Sequence, residues 1–168
     1  MTEAVLDAGP LIHLAELDVL DVLCDFLSLL VPEAVWFEVE RHFPEALFNE
    51  QVNLQRVKAP RPSPTLAALA LSLALDRGEL EALSLMDLYP YAILLTDDSA
   101  ARLAAEQRCL KAHGTIGLLI RSVRKDRRTE NDIISLLRNI PTRSSLYIRS
   151  SLLNEIITEL EAEWNRKL

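Results

Sequence analysis

Carboxylates at four places in the chain have the residue types and spacing of a metal site. Asp7 and the pair Asp97 and Asp98 each follow a short apolar run, whereas Glu38 and Glu79 lie in predicted helices. Hard divalent cations such as Mg²⁺ and Mn²⁺ prefer oxygen ligands, so this set fits either ion. Without a cation the carboxylates would repel one another and raise at least one pKa. With a cation, the site can acidify a bound water and neutralise phosphoryl charge, which is the chemistry of phosphodiester hydrolysis.

Each of these acids also has a purely structural interpretation. Asp7 and Asp98 precede predicted helices, where aspartate is a favoured N-cap. Glu38 alone would be an exposed helix residue, and Glu79 would favour the positive end of a helix dipole. Glu81, two residues on, competes with Glu79 for the third acidic position. Taken singly, none of these residues decides between a structural and a catalytic role.

Alternating strands and helices would bring the acids together. Apolar runs predict strands at about 4–6, 27–31, 54–58, 92–96 and 110–112. Three- and four-residue spacing of apolar side chains predicts helices at about 11–23, 33–42, 66–75, 79–88, 100–108, 114–124, 130–139 and 150–165. This alternation predicts a parallel sheet covered on both faces, with sites at the carboxyl ends of its strands. Asp7 and the Asp97–Asp98 pair would lie at that edge.

Size and composition indicate one globular domain. The chain has 168 residues, 49% of them hydrophobic, which is enough for a sizeable core. Cys24 and Cys109 share no motif and are interpreted as buried, reduced thiols. No secretion signal or membrane-spanning run is visible, so we expect a cytoplasmic protein that makes no membrane contact.

The charge is unevenly distributed. The net charge is −7, yet residues 102–149 carry 11 basic and 4 acidic side chains, whereas residues 1–101 carry 5 basic and 17 acidic ones. Five of the basic residues fall within 121–128: Arg121, Arg124, Lys125, Arg127 and Arg128. This stretch is interpreted either as a solvated helix end or as a patch that contacts phosphates.

Four segments carry a resemblance to a known family. In chain order they are 5–12 (VLDAGPLI), 31–39 (VPEAVWFEV), 75–83 (LDRGELEAL) and 94–102 (LLTDDSAAR). Together with 114–119 and 151–157, they resemble the PIN-domain nucleases, in a less-characterised subgroup near the VapC-type toxins. One such motif is weak because acids at strand ends are common, but four in the right order are much more specific.

The resemblance implies a fold, an activity and partners. It implies an α/β, PIN-like three-layer fold, with a central, mostly parallel sheet flanked by helices. One domain would span 1–168, with a helical C-terminal extension at about 130–168. The implied activity is metal-dependent endoribonuclease cleavage of RNA with Mg²⁺ or Mn²⁺. Many relatives are toxins that form homodimers and are inhibited by a small antitoxin protein, and the apolar helices at 66–89 are candidates for either contact.

Position in the motifs assigns expected roles. The resemblance implies that the catalytic acids are Asp7, Glu38, Glu79 and Asp98, that Asp97 is a further metal ligand, and that Thr96 and Arg102 bind substrate. His13, one turn beyond Gly9–Pro10, is a minor candidate for the same site.

One departure from the family pattern keeps an alternative open. Toxin-type relatives usually have aspartate at the third acidic position, where this chain has Glu79. A catalytically inactive PIN-like domain with a binding or regulatory role is therefore the alternative. A nuclease acting on DNA through the same residues is a further one.

Overall fold

Five short parallel strands form the centre of the molecule. The computed structural model describes residues 2–166. The strands are β1 (Ala4–Leu6), β2 (Leu29–Pro32), β3 (Leu54–Val57), β4 (Ile93–Leu95) and β5 (Ala112–His113). Their order is β3-β2-β1-β4-β5, and every neighbouring pair is parallel. The chain therefore adds β2 and β3 on one side of β1 and later adds β4 and β5 on the other side.

Helices cover both faces of this sheet. They are α1 (Ala8–Glu16), α2 (Glu33–His42), α3 (Pro64–Leu73), α4 (Arg77–Leu85), α5 (Ser99–Gln107), α6 (Thr115–Arg124), α7 (Glu130–Arg143) and α8 (Ser150–Asn165). Short 3₁₀ turns occur at Leu20–Leu23 and Pro44–Ala46. Within residues 2–166, no helix is long and apolar enough to cross a bilayer.

The alternation of side chains along each strand creates two cores. In β1, Ala4 and Leu6 pack into one apolar cluster and Val5 packs into the other. The first cluster draws on α1, α2, α6, α7 and α8, and the second on α3, α4 and α5. The result is the expected three-layer α/β arrangement.

The C-terminal helices are part of the larger core. Ile133, Leu137 and Ile140 of α7 are fully buried, and Trp164 of α8 is nearly so. All four belong to the cluster that contains Leu6. The predicted domain span includes residues 1, 167 and 168, which lie outside the described residues.

Two helix ends differ from the predictions by four residues or more. The first helix ends at Glu16, because Asp18 adopts a left-handed conformation with φ 58° before the 3₁₀ turn at Leu20–Leu23. The seventh continues to Arg143 through Pro141. Proline removes one helical hydrogen bond, but the buried side chains of Leu137 and Ile140, on the turn before Pro141, hold this part of the helix against the core.

Both cysteines are exposed, so the prediction that they are buried was wrong. Cys24 follows the first 3₁₀ turn, and its Sγ donates a hydrogen bond to the Gln51 carbonyl at 2.8 Å. Cys109 lies in the connection between α5 and β5, with φ 56°. Both are free thiols on surface connections.

Candidate active site at the carboxyl edge of the sheet

The acidic site lies where β1 and β4 end side by side. Asp7 follows β1 directly, and Thr96, Asp97 and Asp98 follow β4. The backbone N–H of Asp7 donates to the Leu95 carbonyl at 2.9 Å, which fixes the two strand ends to each other. The connections from these two strands lead to opposite faces of the sheet, and ligands of open α/β sheets bind in the crevice at such a switch point.

Asp7 is a buried carboxylate with which no cationic side chain among residues 2–166 forms an ion pair. Its side chain is 7% exposed. Oδ1 accepts from the N–H of Ala8 at 2.8 Å, and Oδ2 accepts from the Thr96 hydroxyl at 2.7 Å. Burial raises the pKa of Asp7 to about 6, with repulsion from Asp76 and Glu38 adding to it and the two hydrogen bonds opposing it. The side chain is therefore held in place at an electrostatic penalty that a cation would relieve.

Thr96 joins Asp7 to Asp98. Its side chain is fully buried, and its hydroxyl accepts from the N–H of Asp98 at 3.1 Å while donating to Asp7. Asp98 caps α5 by accepting from the N–H of Ala101 at 2.8 Å. The prediction that Thr96 contacts substrate does not fit this burial, because the hydroxyl has no exposed surface. Thr96 instead orients the carboxylate of Asp7 and fixes the backbone of Asp98.

Glu38 approaches the site from α2. Burial raises the pKa of Glu38 and repulsion from Asp76 adds to the shift, while His42 lowers it. A Cβ added at Gly78 would lie 3.5 Å from Oε2 of Glu38 and 3.4 Å from Oδ1 of Asp76. Both carboxylates therefore approach the same glycine at the start of α4.

Glu79 and Glu81 face different neighbours. Glu79 forms a capping box with Asp76, in which Glu79 Oε2 accepts from the N–H of Asp76 and Asp76 Oδ1 accepts from the N–H of Glu79, each at 2.8 Å. Burial raises the pKa of Glu79 to about 7; the N–H of Asp76 opposes this, and the charges of Asp76, Asp98 and Asp7 reinforce it.

Glu81 forms its hydrogen bonds with residues outside the acidic group. Its Oε2 accepts from the N–H of Ala34 at 2.8 Å, and its Oε1 accepts from Arg77 Nε at 2.9 Å. These contacts tie the start of α2 to α4. Of the two candidates for the third acidic position, Glu79 is the one whose charge interacts with Asp7 and Asp98.

Sequence reasoning missed Asp76. This exposed residue is the N-cap of α4, and its negative charge raises the pKa values of Asp7, Glu38 and Glu79. The available signal was its position immediately before Arg77–Gly78–Glu79, one residue outside the helix start. An aspartate there is easily interpreted as a helix cap alone.

Asp97 turns away from this group. Its Oδ1 accepts from the N–H of Thr115 at 2.7 Å, and its Oδ2 accepts from the Thr115 hydroxyl at 2.5 Å and from His13 Nδ1 at 2.7 Å. Burial alone would raise the pKa of Asp97, but the hydrogen bonds from His13 and Thr115 outweigh it and lower the pKa. The side chain fastens α1 and α6 to the end of β4.

Arg102 lies on the Asp97 side of the edge. Its guanidinium donates to the Thr96 carbonyl at 3.2 Å. With Asp97 and His113, it lines a separate cavity of about 450 Å³, whose remaining wall is mainly apolar side chains of α6, the 146–148 segment and α8. Its expected contact with substrate therefore depends on whether a bound strand reaches this side.

The donor set fits a hard divalent cation. Asp7, Glu38, Glu79 and Asp98 offer only oxygen atoms, and the raised pKa values of the first three indicate negative charge that lacks a counter-ion. Within residues 2–166, no three acidic, histidine or cysteine side chains already stand at metal-ligand spacing. The carboxylate of Glu79 is turned back to cap its own helix.

An open cleft of about 510 Å³ lies beside these acids, between α2 and the start of α4. It is lined by Glu38, Asp76 and Gly78, and by Ala34, Phe37, Arg41, His42 and Arg77. The cleft thus combines carboxylates with several cationic groups and one aromatic ring. A polyanionic strand could enter here without facing negative charge alone.

The basic stretch at 121–128 lies far from the acids. Thr115, at the start of α6, contacts Asp97, and the helix then runs for ten residues, or about 15 Å, away from the site edge. Arg121 pairs with Asp25 and stacks 4.5 Å over Phe26, and Arg128 pairs with Asp21. The structure therefore gives these two arginines a role in anchoring the connection between α1 and β2.

The fold and its acidic edge define an α/β protein with a carboxylate site at the switch point of a parallel sheet. A family model described as a PIN domain matches residues 3–162, and the chain therefore belongs to the PIN-domain family. No curated protein matches the chain. PIN domains are generally nucleases that typically use divalent metals, so membership indicates a nuclease-type function. The predicted family and fold class are confirmed, whereas the VapC-related subgroup stays a prediction.

Proposed function

We propose that this protein is a metal-dependent endoribonuclease. The observation that carries the proposal is the convergence of Asp7, Glu38, Glu79 and Asp98 at the switch point of a PIN-domain sheet, with raised pKa values at the first three. Perturbed carboxyl groups in a cleft are typical of catalytic sites. Here the shift has a specific cause, namely burial reinforced by like charges.

Those four acids would hold one or two Mg²⁺ or Mn²⁺ ions, with Asp76 available as a fifth oxygen donor. When bound, such an ion would supply positive charge to the phosphoryl oxygens and lower the pKa of the attacking water. For Glu79 to join, its carboxylate must release the N–H of Asp76. Asp97 is proposed as a positioning residue and not as a ligand, because its hydrogen bonds to His13 and Thr115 turn it away from the other acids and lower its pKa, whereas the pKa of Asp7 is raised.

The remaining residues of the site would act by position. Thr96 holds Asp7 and Asp98 at a fixed separation through its buried hydroxyl. The cationic side of the cleft, Arg41 and Arg77, would attract the RNA backbone. Arg102 would contact a strand only if it passes over the Asp97 side of the edge.

A toxin role with a small antitoxin, and a homodimer, remain part of the proposal. The candidate surface is α3 with its neighbour α4. Leu66 and Ala70 of α3 face the core, whereas Leu71 is 85% exposed. Leu71 would lie at the centre of the proposed protein contact.

A catalytically inactive binding domain is the second candidate. It is favoured by the capping box, because a Glu79 that remains bonded to Asp76 would leave only three acids for the metal. Such a domain would bind RNA or a protein partner without cutting. The two candidates differ in one measurable property, which is metal-dependent turnover.

The test is cleavage of a labelled single-stranded RNA with Mn²⁺ or Mg²⁺, with and without EDTA. We expect cleavage that EDTA abolishes and that falls by at least about 100-fold in Asp98→Asn. Asparagine caps helices as well as aspartate does, so this variant should fold normally. Glu106→Gln, an equal charge change at an exposed position of the same helix, should cut like wild type.

Metal-independent cleavage, or full activity of Asp98→Asn, would contradict the nuclease assignment. Metal binding without cleavage would favour the inactive binding domain. The same assay on a DNA strand of equal sequence tests the DNA alternative.

A further inference from the structure

An exposed aromatic side chain borders the acidic cleft. Phe37 is 51% exposed, although it belongs to α2, whose Val35 and Val39 are fully buried. It lines the same cleft of about 510 Å³ as Glu38 and Asp76. Exposing half of a phenylalanine sacrifices hydrophobic stabilisation, and an exposed ring in a cleft rather than on open surface indicates a binding contact.

The ring of Phe37 forms a cation–π contact with Arg56. The Cζ atom of Arg56, on β3, lies 4.4 Å from the centroid of the Phe37 ring, and the guanidinium lies 3.8 Å from Glu33 Oε1. A guanidinium stacked on a ring restricts its motion through a cation–π contact. Arg56 therefore contacts the ring, while about half of the Phe37 side chain stays exposed.

Helical spacing places a cation beside the ring. Arg41 is four residues after Phe37, and His42 is four residues after Glu38, so each pair lies one turn apart on the same side of α2. All four line the cleft. One face of α2 thus presents an aromatic ring, a guanidinium and a candidate metal-binding carboxylate.

These groups match the chemistry of an unpaired nucleotide. A nucleobase stacks on an aromatic ring whatever its identity, and a guanidinium pairs with the neighbouring phosphate. An apolar protein segment fits less well, since the other side chains around Phe37 in the cleft are mostly charged or polar: Glu38, Arg41, His42, Asp76 and Arg77.

We propose that Phe37 is a stacking platform for an unpaired nucleobase next to the scissile phosphate, with Arg41 contacting the adjoining phosphate. This inference rests on the proposed nuclease function and makes it more specific. The inference predicts that the protein prefers single-stranded to paired RNA, because a base in a duplex must leave its stack to reach the Phe37 ring. The recognition is by the face of the base, so it predicts little dependence on base identity.

The test is equilibrium binding of a fluorescein-labelled 12-nucleotide oligoadenylate RNA, measured by anisotropy with Ca²⁺ as the divalent ion. A strand of equal length and charge with abasic sites is the matched ligand. We expect Phe37→Ala to weaken oligoadenylate binding by about 5- to 100-fold and to leave abasic-strand binding within about twofold. Phe37→Tyr retains a ring and should bind like wild type.

Phe48→Ala is the matched control, because Phe48 is 70% exposed and does not line the cleft. It should bind both strands normally, and thermal melting should show that each variant is folded. An equal loss on oligodeoxyadenylate would support stacking that does not read the sugar. Wild-type-like binding by Phe37→Ala, an equal loss on the abasic strand, or no measurable binding by wild type would overturn the inference.

This experiment is independent of turnover. If Phe37-dependent binding occurs but no cleavage is found in the metal assay, the nuclease proposal fails and the stacking site stands. If metal-dependent cleavage occurs and Phe37→Ala binds normally, the stacking site fails and the nuclease proposal stands.

Discussion

Replacing Asp7 by asparagine is expected to abolish metal-dependent RNA cleavage and, at neutral pH, to stabilise the fold. The first effect follows from the loss of a central carboxylate, for which we expect at least about a thousandfold fall in cleavage rate. The second follows because burial raises the pKa of Asp7 from 3.8 to about 6. Asparagine keeps the cap on Ala8 and a polar contact with Thr96 but removes the buried charge.

The stabilisation should depend on pH in a defined direction. Well below pH 3.8, Asp7 is protonated in both the folded and unfolded states, so the charge penalty is absent. As the pH rises from 4 to 6, the unfolded chain ionises first and wild type loses stability. A shift of about two pKa units corresponds to about 3 kcal/mol at full ionisation. For a chain of this size that is roughly 6 to 12 °C in melting temperature.

Melting of wild type and Asp7→Asn between pH 4 and pH 8, in EDTA, measures this difference. The two melting temperatures should be closest at pH 4, move apart as the pH rises to 6 and differ most above pH 6, with the variant melting higher. A divalent ion should raise the melting temperature of wild type by more than that of the variant at the same concentration. A variant that is less stable than wild type at pH 7.5 would show that Asp7 serves the fold and not a cation.

Replacing Asp97 by asparagine is expected to have the opposite effect on stability. Asp97 accepts hydrogen bonds from His13 and from the N–H and hydroxyl of Thr115, and these contacts lower its pKa despite burial. In asparagine, an NH₂ donor would replace Oδ2 of Asp97, which now accepts hydrogen bonds from His13 and from the Thr115 hydroxyl. We expect a loss of about 2 to 4 kcal/mol in the free energy of unfolding at neutral pH.

Asp97 stabilises the fold fully at pH values well above 3.8, the ordinary pKa of an aspartate. This stabilisation is lost as the pH falls below 3.8 and through the lowered pKa that Asp97 has in the folded protein. Urea unfolding should therefore show a large difference in the free energy of unfolding between wild type and Asp97→Asn at pH 7. The difference should be smaller at pH 3.5. Asp98→Asn makes the same charge change one residue away and should alter stability by less than about 1 kcal/mol. Equal losses for the two variants would contradict the division of roles between these neighbours.

The elements that carry the site could be predicted from the sequence because their patterns are local. Apolar runs that end at Asp7 and Asp97, each followed by a helix, are enough to place these acids at one edge of a parallel sheet. Glu38 was found through the motif around it. The helix ending at Glu16 could not be foreseen, because the apolar spacing continues past the left-handed residue Asp18.

The division of labour among neighbouring acids could not be predicted. Whether Asp97 or Asp98 points into the site depends on Thr115 and His13. Both of these residues are distant in sequence from the two aspartates. Glu81 is excluded from the acidic group only by Arg77 and the N–H of Ala34. Asp76 contributes charge across the gap between α2 and α4, which is a property of helix packing and not of any local pattern.

Calorimetric titration of Mn²⁺ into the protein tests the central claim most directly, because it measures the metal site without depending on the substrate. At pH 6, in two buffers of different ionisation enthalpy, we expect saturable binding with release of about one proton, since Asp7 and Glu79 must deprotonate to bind. Proton release should diminish at pH 8, and Asp7→Asn should weaken binding by at least about tenfold. No saturable binding, or binding that is equal in wild type and Asp7→Asn, would contradict the account.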